Sequence, residues 1–257
     1  MKRYKAIAQY YDFEYEHYDV LQEDVPFFLG HLPSRRQSIL ELAVGTGRAA
    51  VPLAQAGHRV FGIDCAADML QIAQQKRQVA GLSKRDLALA KADMLDFNLN
   101  QRFDWVCCFF NTFLNFTTLA QQDAVLANVV RHLKRGGRFW LDIFQPNLPL
   151  LAQEESRDMD PVMFYVPHLA RTVLKTTHVK RDPARQVQRV TFEYRWFDEA
   201  GAEQRALTHF DMTFIFPREL EMLLARHGLA IDRLYGNYDG SKLNADSPRM
   251  IAMCSRE

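Results

Sequence analysis

The chain has 257 residues, of which 48% are hydrophobic and 25% charged, enough for one domain with an insertion around a full core. Its formal net charge of +1 provides no overall field to attract nucleic acid or an anionic membrane. No apolar run approaches the ~20 residues that a membrane span requires. The four cysteines lack metal-ligand spacing. We therefore predict a soluble cytoplasmic protein with reduced, buried cysteines and no bound metal.

The segment over residues 4–19 repeats tyrosines at spacings of three and four, which predicts a helix with a tyrosine-rich face. Acidic residues lie between them, so one interpretation is an amphipathic helix with a packed and a solvated side. The other is a lid whose rings cover a ligand, because buried tyrosine hydroxyls need partners. A short helix is predicted over 25–32, and residues 1–36 are assigned to a helical lid. The tyrosines of this face are Tyr4, Tyr11, Tyr15 and Tyr18.

An apolar run over 38–42 passes two glycines and leads into a helix that is predicted to end near Gly57. Gly45 and Gly47 permit positive φ angles and let a ligand lie against bare backbone. The N–H groups at the start of the helix point towards electron-rich atoms. The stretch therefore predicts a site for a nucleotide-like ligand.

Strands and helices then alternate as far as residue 144, which predicts an α/β, Rossmann-like, doubly wound sheet. Helices are predicted around Met69 and over 117–133, and the apolar fourth strand is typical of a parallel sheet covered on both faces. In such sheets a ligand binds beyond the carboxyl ends of the strands. The strands that follow the first are predicted over 59–64, 87–94, 103–110 and 138–144.

The pattern changes after Pro146. Three segments rich in Val, Thr and aromatic residues, over 171–181, 187–197 and 204–216, are separated by turn signals and predict antiparallel strands. A helix from Pro217 to about Gly228 and two further strands complete the chain. We predict a seven-stranded sheet with a C-terminal antiparallel strand pair, and a small antiparallel β insert after the fifth strand. The last two strands are predicted over 229–235 and 249–254. The core is assigned to residues 37–150 and 217–257. The insert is assigned to residues 151–216, as a substrate cap or a dimer contact.

Polar residues follow the carboxyl ends of the strands in the order Glu41-Leu-Ala-Val-Gly45-Thr-Gly47, then Asp64, then Asp93-Met94. From about Tyr11 to the end, this pattern resembles class I S-adenosylmethionine-dependent methyltransferases. The resemblance implies that the glycine turn contacts the methionine part of the cofactor, that Asp64 holds the ribose, and that Met69, Asp93 and Met94 surround the adenine. Ala43 stands where the commonest turn of that family has a third glycine.

The resemblance implies S-adenosyl-L-methionine as cofactor and S-adenosyl-L-homocysteine as product. The implied cofactor contacts are Tyr11, Tyr18, Glu41, Ala43, Gly45, Thr46, Gly47, Asp64, Cys65, Met69, Ala92, Asp93, Met94 and Phe110.

The Tyr11-Asp12 pair is similar to the lid of small-molecule methyltransferases that act on amino sugars and glycine-like amines, and the insert resembles their extra strands. This implies a small-molecule methyl acceptor, with nitrogen slightly preferred over oxygen. The Pro-Pro-aromatic sequence of enzymes that methylate nucleic acid bases is absent after the fourth strand, so we expect no nucleic-acid partner. The implied acceptor contacts are Tyr15, Asn111, Phe113, Asn115, Tyr238 and Arg249.

Methyl transfer from a sulfonium is an in-line displacement that needs positioning and exclusion of water, without a catalytic metal or covalent nucleophile. A general base matters only if the acceptor must lose a proton. The sequence contains no evident catalytic constellation, and His17, His168 and Asn111 are the candidates. Asn111 and Asn115 are one helical turn apart and can face one pocket. Alternatively, Asn111 caps the next helix.

Two other functions remain open. The stretch Gly45-Thr-Gly47-Arg-Ala-Ala50 also satisfies a dinucleotide-binding fingerprint, which would indicate an NAD-dependent oxidoreductase. Glu41 and the Asp93-Met94 pair favour the methyltransferase. A non-catalytic adenosyl-ligand-binding protein is the third possibility. We expect a monomer or a homodimer, because the insert strands can pair with their own core or with another chain.

Overall fold

The computed structural model describes residues 8–18 and 20–256, which form two β-sheets with helices around them. The helices are α1 (Ala8–Tyr15), α2 (Val20–His31), α3 (Ala50–Gln55), α4 (Ala67–Val79), α5 (Leu119–His132), α6 (Leu148–Leu151) and α7 (Pro217–Ala225). Short 3-10 helices span Thr112–Asn115 and Pro167–Leu169. None of the helices in this part of the chain is long and apolar enough to span a membrane.

The larger sheet has seven strands in the order β10-β11-β5-β4-β1-β2-β3. Strands β1 to β5 are parallel to one another, and β11 is antiparallel to both β5 and β10. Helices cover both faces, which explains why the inner strands are continuous apolar runs. The predicted α/β fold is therefore confirmed. The strands are β1 (Ser38–Leu42), β2 (Arg59–Asp64), β3 (Leu87–Lys91), β4 (Phe103–Cys108), β5 (Leu133–Phe144), β10 (Leu229–Tyr235) and β11 (Arg249–Arg256).

The start of the fifth strand differs from the sequence prediction. The fifth strand was expected to begin at residue 138, after a glycine stop, but β5 begins at Leu133, where α5 ends. Gly136, with φ of 71°, lies inside the strand. The glycines therefore bend the strand near its start and do not separate it from the helix.

The smaller sheet is antiparallel and has four strands in the order β6-β7-β8-β9, one more than predicted. The additional strand, β6, contains Pro161 and two acidic residues with left-handed backbone, Asp158 (φ 49°) and Asp160 (φ 47°). Its register with β7 shifts twice. Proline is tolerated there because β6 is an edge strand, but the bulged pattern conceals it from a period-two search. The strands are β6 (Glu155–Val166), β7 (Arg171–Asp182), β8 (Val187–Phe197) and β9 (Glu203–Thr213).

Helix α1 lies against the inner face of the smaller sheet. The buried Tyr10 ring stacks on Tyr194 with 5.4 Å between ring centroids and contacts Phe164 edge-on. On another side of the helix, Tyr11 stacks on Tyr15 at 4.1 Å. The packed tyrosine, Tyr10, does not belong to the predicted face, whose described members Tyr11, Tyr15 and Tyr18 all line a cavity. The predicted positions Tyr4 and Ile7 lie outside the described residues.

Candidate active site

The turn after β1 is joined to the turn after β2 by one carboxylate. Gly45 (φ 55°) donates its N–H to Asp64 Oδ2 at 2.9 Å, and Ala66 donates its N–H to Asp64 Oδ1 at 2.8 Å. Burial raises the pKa of Asp64, while these backbone N–H groups oppose the rise. Each carboxylate oxygen keeps a further lone pair for a ligand.

Ala43 and Gly47 show what the turn requires of its residues. Ala43 adopts φ of 54°, a left-handed conformation that an alanine tolerates at some cost. Gly47 has φ of 79°, and a Cβ there would lie 3.3 Å from the Cβ of Ala73 in α4. Gly47 therefore permits close packing of the turn against α4.

A cavity of about 320 Å³ opens at the carboxyl ends of β1, β2 and β3, and we call it the glycine-turn cavity. Most of the predicted cofactor contacts line it, and the 3-10 helix and α5 supply a wall that the sequence did not indicate. The predicted residues that line it are Tyr11, Ala43, Gly45, Asp64, Cys65, Met69, Ala92, Asp93 and Met94. The additional ones are Ala66, Leu95, Thr112, Asn115, Phe116 and Gln121.

Three predicted cofactor contacts lie behind the cavity wall. Gly47 packs against α4, and Thr46 is fully buried and donates its hydroxyl to Asp12 Oδ1 at 2.7 Å. Glu41 is 4% exposed, and its Oε2 has no hydrogen-bond partner among the described residues. Burial raises the pKa of Glu41 to about 8, although nearby Arg48 opposes the rise. Glu41 therefore carries a proton at neutral pH for most of the time.

A second cavity of about 240 Å³ lies between α1, the turn after β4 and the inner face of the smaller sheet, and we call it the aromatic cavity. It shares Tyr11, Thr112 and Asn115 with the glycine-turn cavity. Tyr15, Asn111 and Asn115 line it as predicted for acceptor contacts, whereas Tyr18 and Phe110 line it although we predicted cofactor contacts. The other lining residues are Glu14, Asp160, Lys175, Thr177, Val190, Phe192, Tyr194, Phe210 and Met212.

A buried ion pair stands at the wall of the aromatic cavity. Lys175 Nζ lies 3.0 Å from Glu14 Oε1, and both side chains are less than 5% exposed. Lys175 also donates to the Tyr18 hydroxyl at 2.9 Å, and the Tyr194 hydroxyl donates to Glu14 Oε2 at 2.8 Å. Burial lowers the pKa of Lys175, but the Glu14 carboxylate and Tyr18 more than offset it and leave the pKa above its ordinary value.

This ion pair was not predicted from the sequence. A signal was present in β7, where Lys175 and Thr177 occupy the inward positions between Val173 and Val179. A lysine in register with buried valines needs a buried partner.

Tyr238 and Arg249, predicted acceptor contacts, line neither cavity. Both are 5% exposed and bind the carboxylate of Asp142 on β5. Arg249 reaches Oδ1 with Nε and Nη2 at 2.7 and 2.6 Å, and the Tyr238 hydroxyl donates to Oδ2 at 2.7 Å. Their polar atoms are directed at this buried acid, which lies behind the turn after β4, and Arg249 Nη2 also donates to Asn111 Oδ1 at 3.2 Å.

The same carboxylate holds that turn in an unusual conformation. Phe110 (φ 46°) and Asn111 (φ 63°) both have left-handed backbone. Phe110 donates its N–H to Asp142 Oδ2 at 3.1 Å, and Asn111 Oδ1 accepts the N–H of Phe144 at 2.7 Å. Non-glycine residues remain in this region only where the surroundings hold them. The network therefore orients the segment between the cavities.

Asn111 does not cap the following helix with its side chain. Thr118 caps α5 in a capping box with Gln121. Phe113 is completely buried in the core, so its prediction as an acceptor contact was wrong. Asn115 donates its Nδ2 to the Thr112 carbonyl at 3.0 Å and lies at the junction of the two cavities.

The two histidine candidates lie away from the cavities. His17 is exposed and binds the Phe13 carbonyl through Nδ1 at 2.9 Å. His168 is exposed and faces the Phe13 ring at 5.8 Å between centroids. Neither histidine lines the aromatic cavity, so the structure does not support them as bases.

Residues 39–137 match the family model described as a methyltransferase domain. The chain is 27% identical over 233 residues to the cypemycin N-terminal methyltransferase of a Streptomyces species, covering 91% of this chain and 89% of the relative. It is 26% identical over 228 residues to the dTDP-3-amino-3,6-dideoxy-alpha-D-glucopyranose N,N-dimethyltransferase of Streptomyces fradiae, covering 85% of this chain and 79% of the relative.

Among solved structures, an S-adenosylmethionine-dependent methyltransferase from Clostridium acetobutylicum superposes with a TM-score of 0.78 over 98% of both chains, at 20% identity. This likeness extends the matched core to both sheets. Residues 39–137 are therefore similar to a methyltransferase domain, and the chain shares its fold with that S-adenosylmethionine-dependent methyltransferase.

Proposed function

We propose that the protein transfers a methyl group from S-adenosylmethionine to a small-molecule acceptor, with nitrogen preferred over oxygen. The observation that carries the proposal is the meeting of two cavities at Tyr11, Thr112 and Asn115. The glycine-turn cavity has the polar groups that a nucleoside needs, and the aromatic cavity has walls suited to a second molecule. Two molecules bound there would meet at the shared residues, which is the arrangement that in-line transfer requires.

The residues of the glycine-turn cavity fit S-adenosylmethionine. Asp64 has lone pairs for ribose hydroxyls, and Met69 and Met94 offer apolar surface for the adenine ring. Gly45 exposes backbone beside them. Behind the turn, Glu41 is a buried acid with an unpartnered oxygen, which can be linked to a polar group of the ligand through water.

When bound, S-adenosylmethionine supplies a methyl carbon whose bond to sulfur breaks, with the electron pair left on sulfur, as the acceptor bonds to that carbon. The contribution of the chain is to exclude water and to align the acceptor. Glu14 is occupied by Lys175 and Tyr194, so it is poorly placed to remove a proton. An amine reacts through its own lone pair after losing a proton to solvent, whereas an alcohol needs a base. This favours nitrogen.

Two relatives support this choice, because the names of the cypemycin enzyme and of the dTDP-amino-sugar enzyme describe methylation at an amino terminus and at nitrogen. We further propose that residues 151–216 act as the acceptor cap, since β7, β8 and β9 supply one wall of the aromatic cavity. We place the protein in the cytoplasm, which suits its free cysteines.

The proposal is tested by methyl transfer from S-adenosylmethionine carrying a labelled methyl group. The purified protein is incubated with a panel of small amines and with alcohols of matched shape, and the labelled products are separated and counted. We expect label on amines and little on alcohols. Label on alcohols alone would overturn the preference for nitrogen, and no transfer to any acceptor would favour the non-catalytic ligand-binding protein.

A further inference from the structure

The aromatic cavity has an uneven distribution of charge. Among the described residues that line it, the ionic side chains are Glu14, Asp160 and Lys175. Glu14 and Lys175 neutralise each other at 3.0 Å and are almost completely buried. Asp160 is exposed at the mouth of the cavity on the bulged strand β6. The cavity therefore carries one uncompensated negative charge, close to its opening.

The cation of the ion pair is also covered on its remaining side. Lys175 Nζ donates to Tyr18 at 2.9 Å and lies 4.1 Å from the centroid of the Phe192 ring. A phosphate that approached Lys175 would have to displace these contacts and stand close to the Glu14 carboxylate. Bringing like charges together at a buried site is unfavourable. The cavity thus lacks a free cation for a phosphate among its described lining residues.

Part of the cavity wall is apolar, beside the hydroxyl, amide and ionic groups of the other lining residues. Phe110, Phe192 and Phe210 contribute rings, and Val190 and Met212 contribute aliphatic surface. Aromatic faces attract cations as well as apolar groups. A molecule that combines a cationic head with an apolar body would therefore be attracted by Asp160 at the mouth and would pack against the apolar and aromatic side chains of the wall.

We propose that the acceptor is an amine with an apolar body and without phosphate, and that Asp160 recruits its ammonium form at the mouth of the aromatic cavity. This inference rests on the proposed function and assigns its substrate class. Asp160 attracts the ammonium group electrostatically as the amine enters. The nitrogen then loses a proton to solvent and moves to the shared residues Tyr11, Thr112 and Asn115, where it accepts the methyl group. The self-neutralised pair of Glu14 and Lys175 rejects phosphate-bearing amines, such as those linked to a nucleotide.

The first test compares amines that share a body but differ in phosphate. The probes are tyramine with its phosphate ester, together with phenethylamine, phosphoethanolamine and a short apolar peptide with a free amino terminus. Transfer of the labelled methyl group is measured for each. We expect transfer to the phosphate-free apolar amines and at least about tenfold lower kcat/KM for a phosphorylated partner, a penalty near 1.4 kcal/mol.

The second test uses a matched pair of variants. Asp158 and Asp160 are both exposed and both have left-handed backbone on β6, but only Asp160 lines the cavity. We expect Asp160→Asn to lower kcat/KM for the best apolar amine about three- to fivefold at low salt, mainly through KM, as for one partly exposed charge. Asp158→Asn is expected to stay within twofold of the wild type, and high salt is expected to reduce the difference.

The inference is overturned if phosphorylated amines are the better acceptors, if the two variants behave alike, or if none of the apolar amines is methylated while S-adenosylhomocysteine still binds. In each of these cases the methyltransferase proposal can survive. Failure of both adenosyl ligands to bind would instead remove the proposed function itself.

Discussion

Asp64 connects the turns that form the floor of the glycine-turn cavity, because its two oxygens accept N–H groups from Gly45 and Ala66. We expect Asp64→Asn to weaken the binding of S-adenosylhomocysteine by about 10- to 150-fold, the loss of one hydrogen bond to a charged group at about 1.5–3 kcal/mol. Titration calorimetry measures the affinity. The control is Asp68→Asn, an exposed carboxylate outside the cavity that should leave it unchanged. Equal affinities for both variants would contradict the ribose assignment.

The raised pKa of Glu41 predicts that the stability of the protein depends on pH. Burial raises its pKa from 4.5 to about 8, against the opposing effect of Arg48. Between these two pH values, Glu41 is ionised in the unfolded chain but keeps its proton in the folded protein. The unfolding free energy therefore falls as pH rises from about 4.5 to about 8, by at most ~1.4 kcal/mol per pH unit. Glu41→Gln cannot ionise and should lose this contribution. Urea unfolding of both proteins at pH 5 and pH 8 measures it.

We expect the Glu41→Gln variant to gain stability relative to the wild type as pH rises across that interval. A difference between the two proteins that is the same at both pH values would show that Glu41 is ionised in the folded state.

At the scale of elements, α1 is attached to both sheets. Asp12 binds Lys76 on α4 at 2.7 Å and Thr46 in the glycine turn, while Glu14 binds Lys175 on β7. Breaking a buried pair leaves an uncompensated charge, so we expect Glu14→Gln to lower the unfolding free energy by about 3 kcal/mol. Urea unfolding measures this. Glu16→Gln, at an exposed neighbouring position, is the control and should stay within about 0.5 kcal/mol. Similar losses for both would contradict the role of the ion pair.

The turn after β4 depends on residues from distant parts of the chain. The Tyr238 hydroxyl and the Phe110 N–H both donate to Asp142 Oδ2, and Arg249 donates to the other oxygen, Oδ1. We expect Tyr238→Phe to speed amide hydrogen exchange at Phe110 and Asn111 about tenfold, because the loss of about 1.4 kcal/mol lowers the cost of local opening.

Tyr235→Phe serves as the matched control, since that hydroxyl binds His31 and not Asp142. If exchange at Phe110 and Asn111 is equally fast in both variants, the Asp142 network does not hold the turn.

The two sheets show which elements can be predicted from sequence. Strands β1, β2 and β4 were predicted because buried parallel strands are rich in apolar residues on both faces, so that an apolar run marks them. The edge strand β6 was missed because Pro161 and two register shifts interrupt its alternation. Local pattern therefore identifies central strands more readily than bulged edges.

At the scale of the whole molecule, the cofactor side of the candidate site was predictable and the acceptor side largely was not. Asp64 and Met94 follow parallel strands, and the topology of such a sheet brings their ends together. Lys175, Phe192 and Asp160 reach the site only through the packing of the smaller sheet on α1. That packing depends on contacts distant in sequence, such as the one between Glu14 and Lys175, which no local spacing encodes.

The dependence on distant contacts also explains why Tyr238 and Arg249 line neither cavity. Tyr238 and Arg249 were placed near the site by chain order, but their partner Asp142 lies inside β5 and is completely buried. Only the fold reveals that an acid of the fifth strand binds them. They act on the site through the turn that they support.

The most direct test of the central claim is calorimetric titration of the purified protein with S-adenosylmethionine, S-adenosylhomocysteine and NAD. The account predicts micromolar binding of both adenosyl ligands and no binding of NAD. The reason is that the glycine-turn cavity ends at Met69, Met94 and the wall of α5. It then continues into the aromatic cavity, which has no free cation among its described residues. Binding of NAD alone would contradict it and would identify the glycine turn as a dinucleotide site.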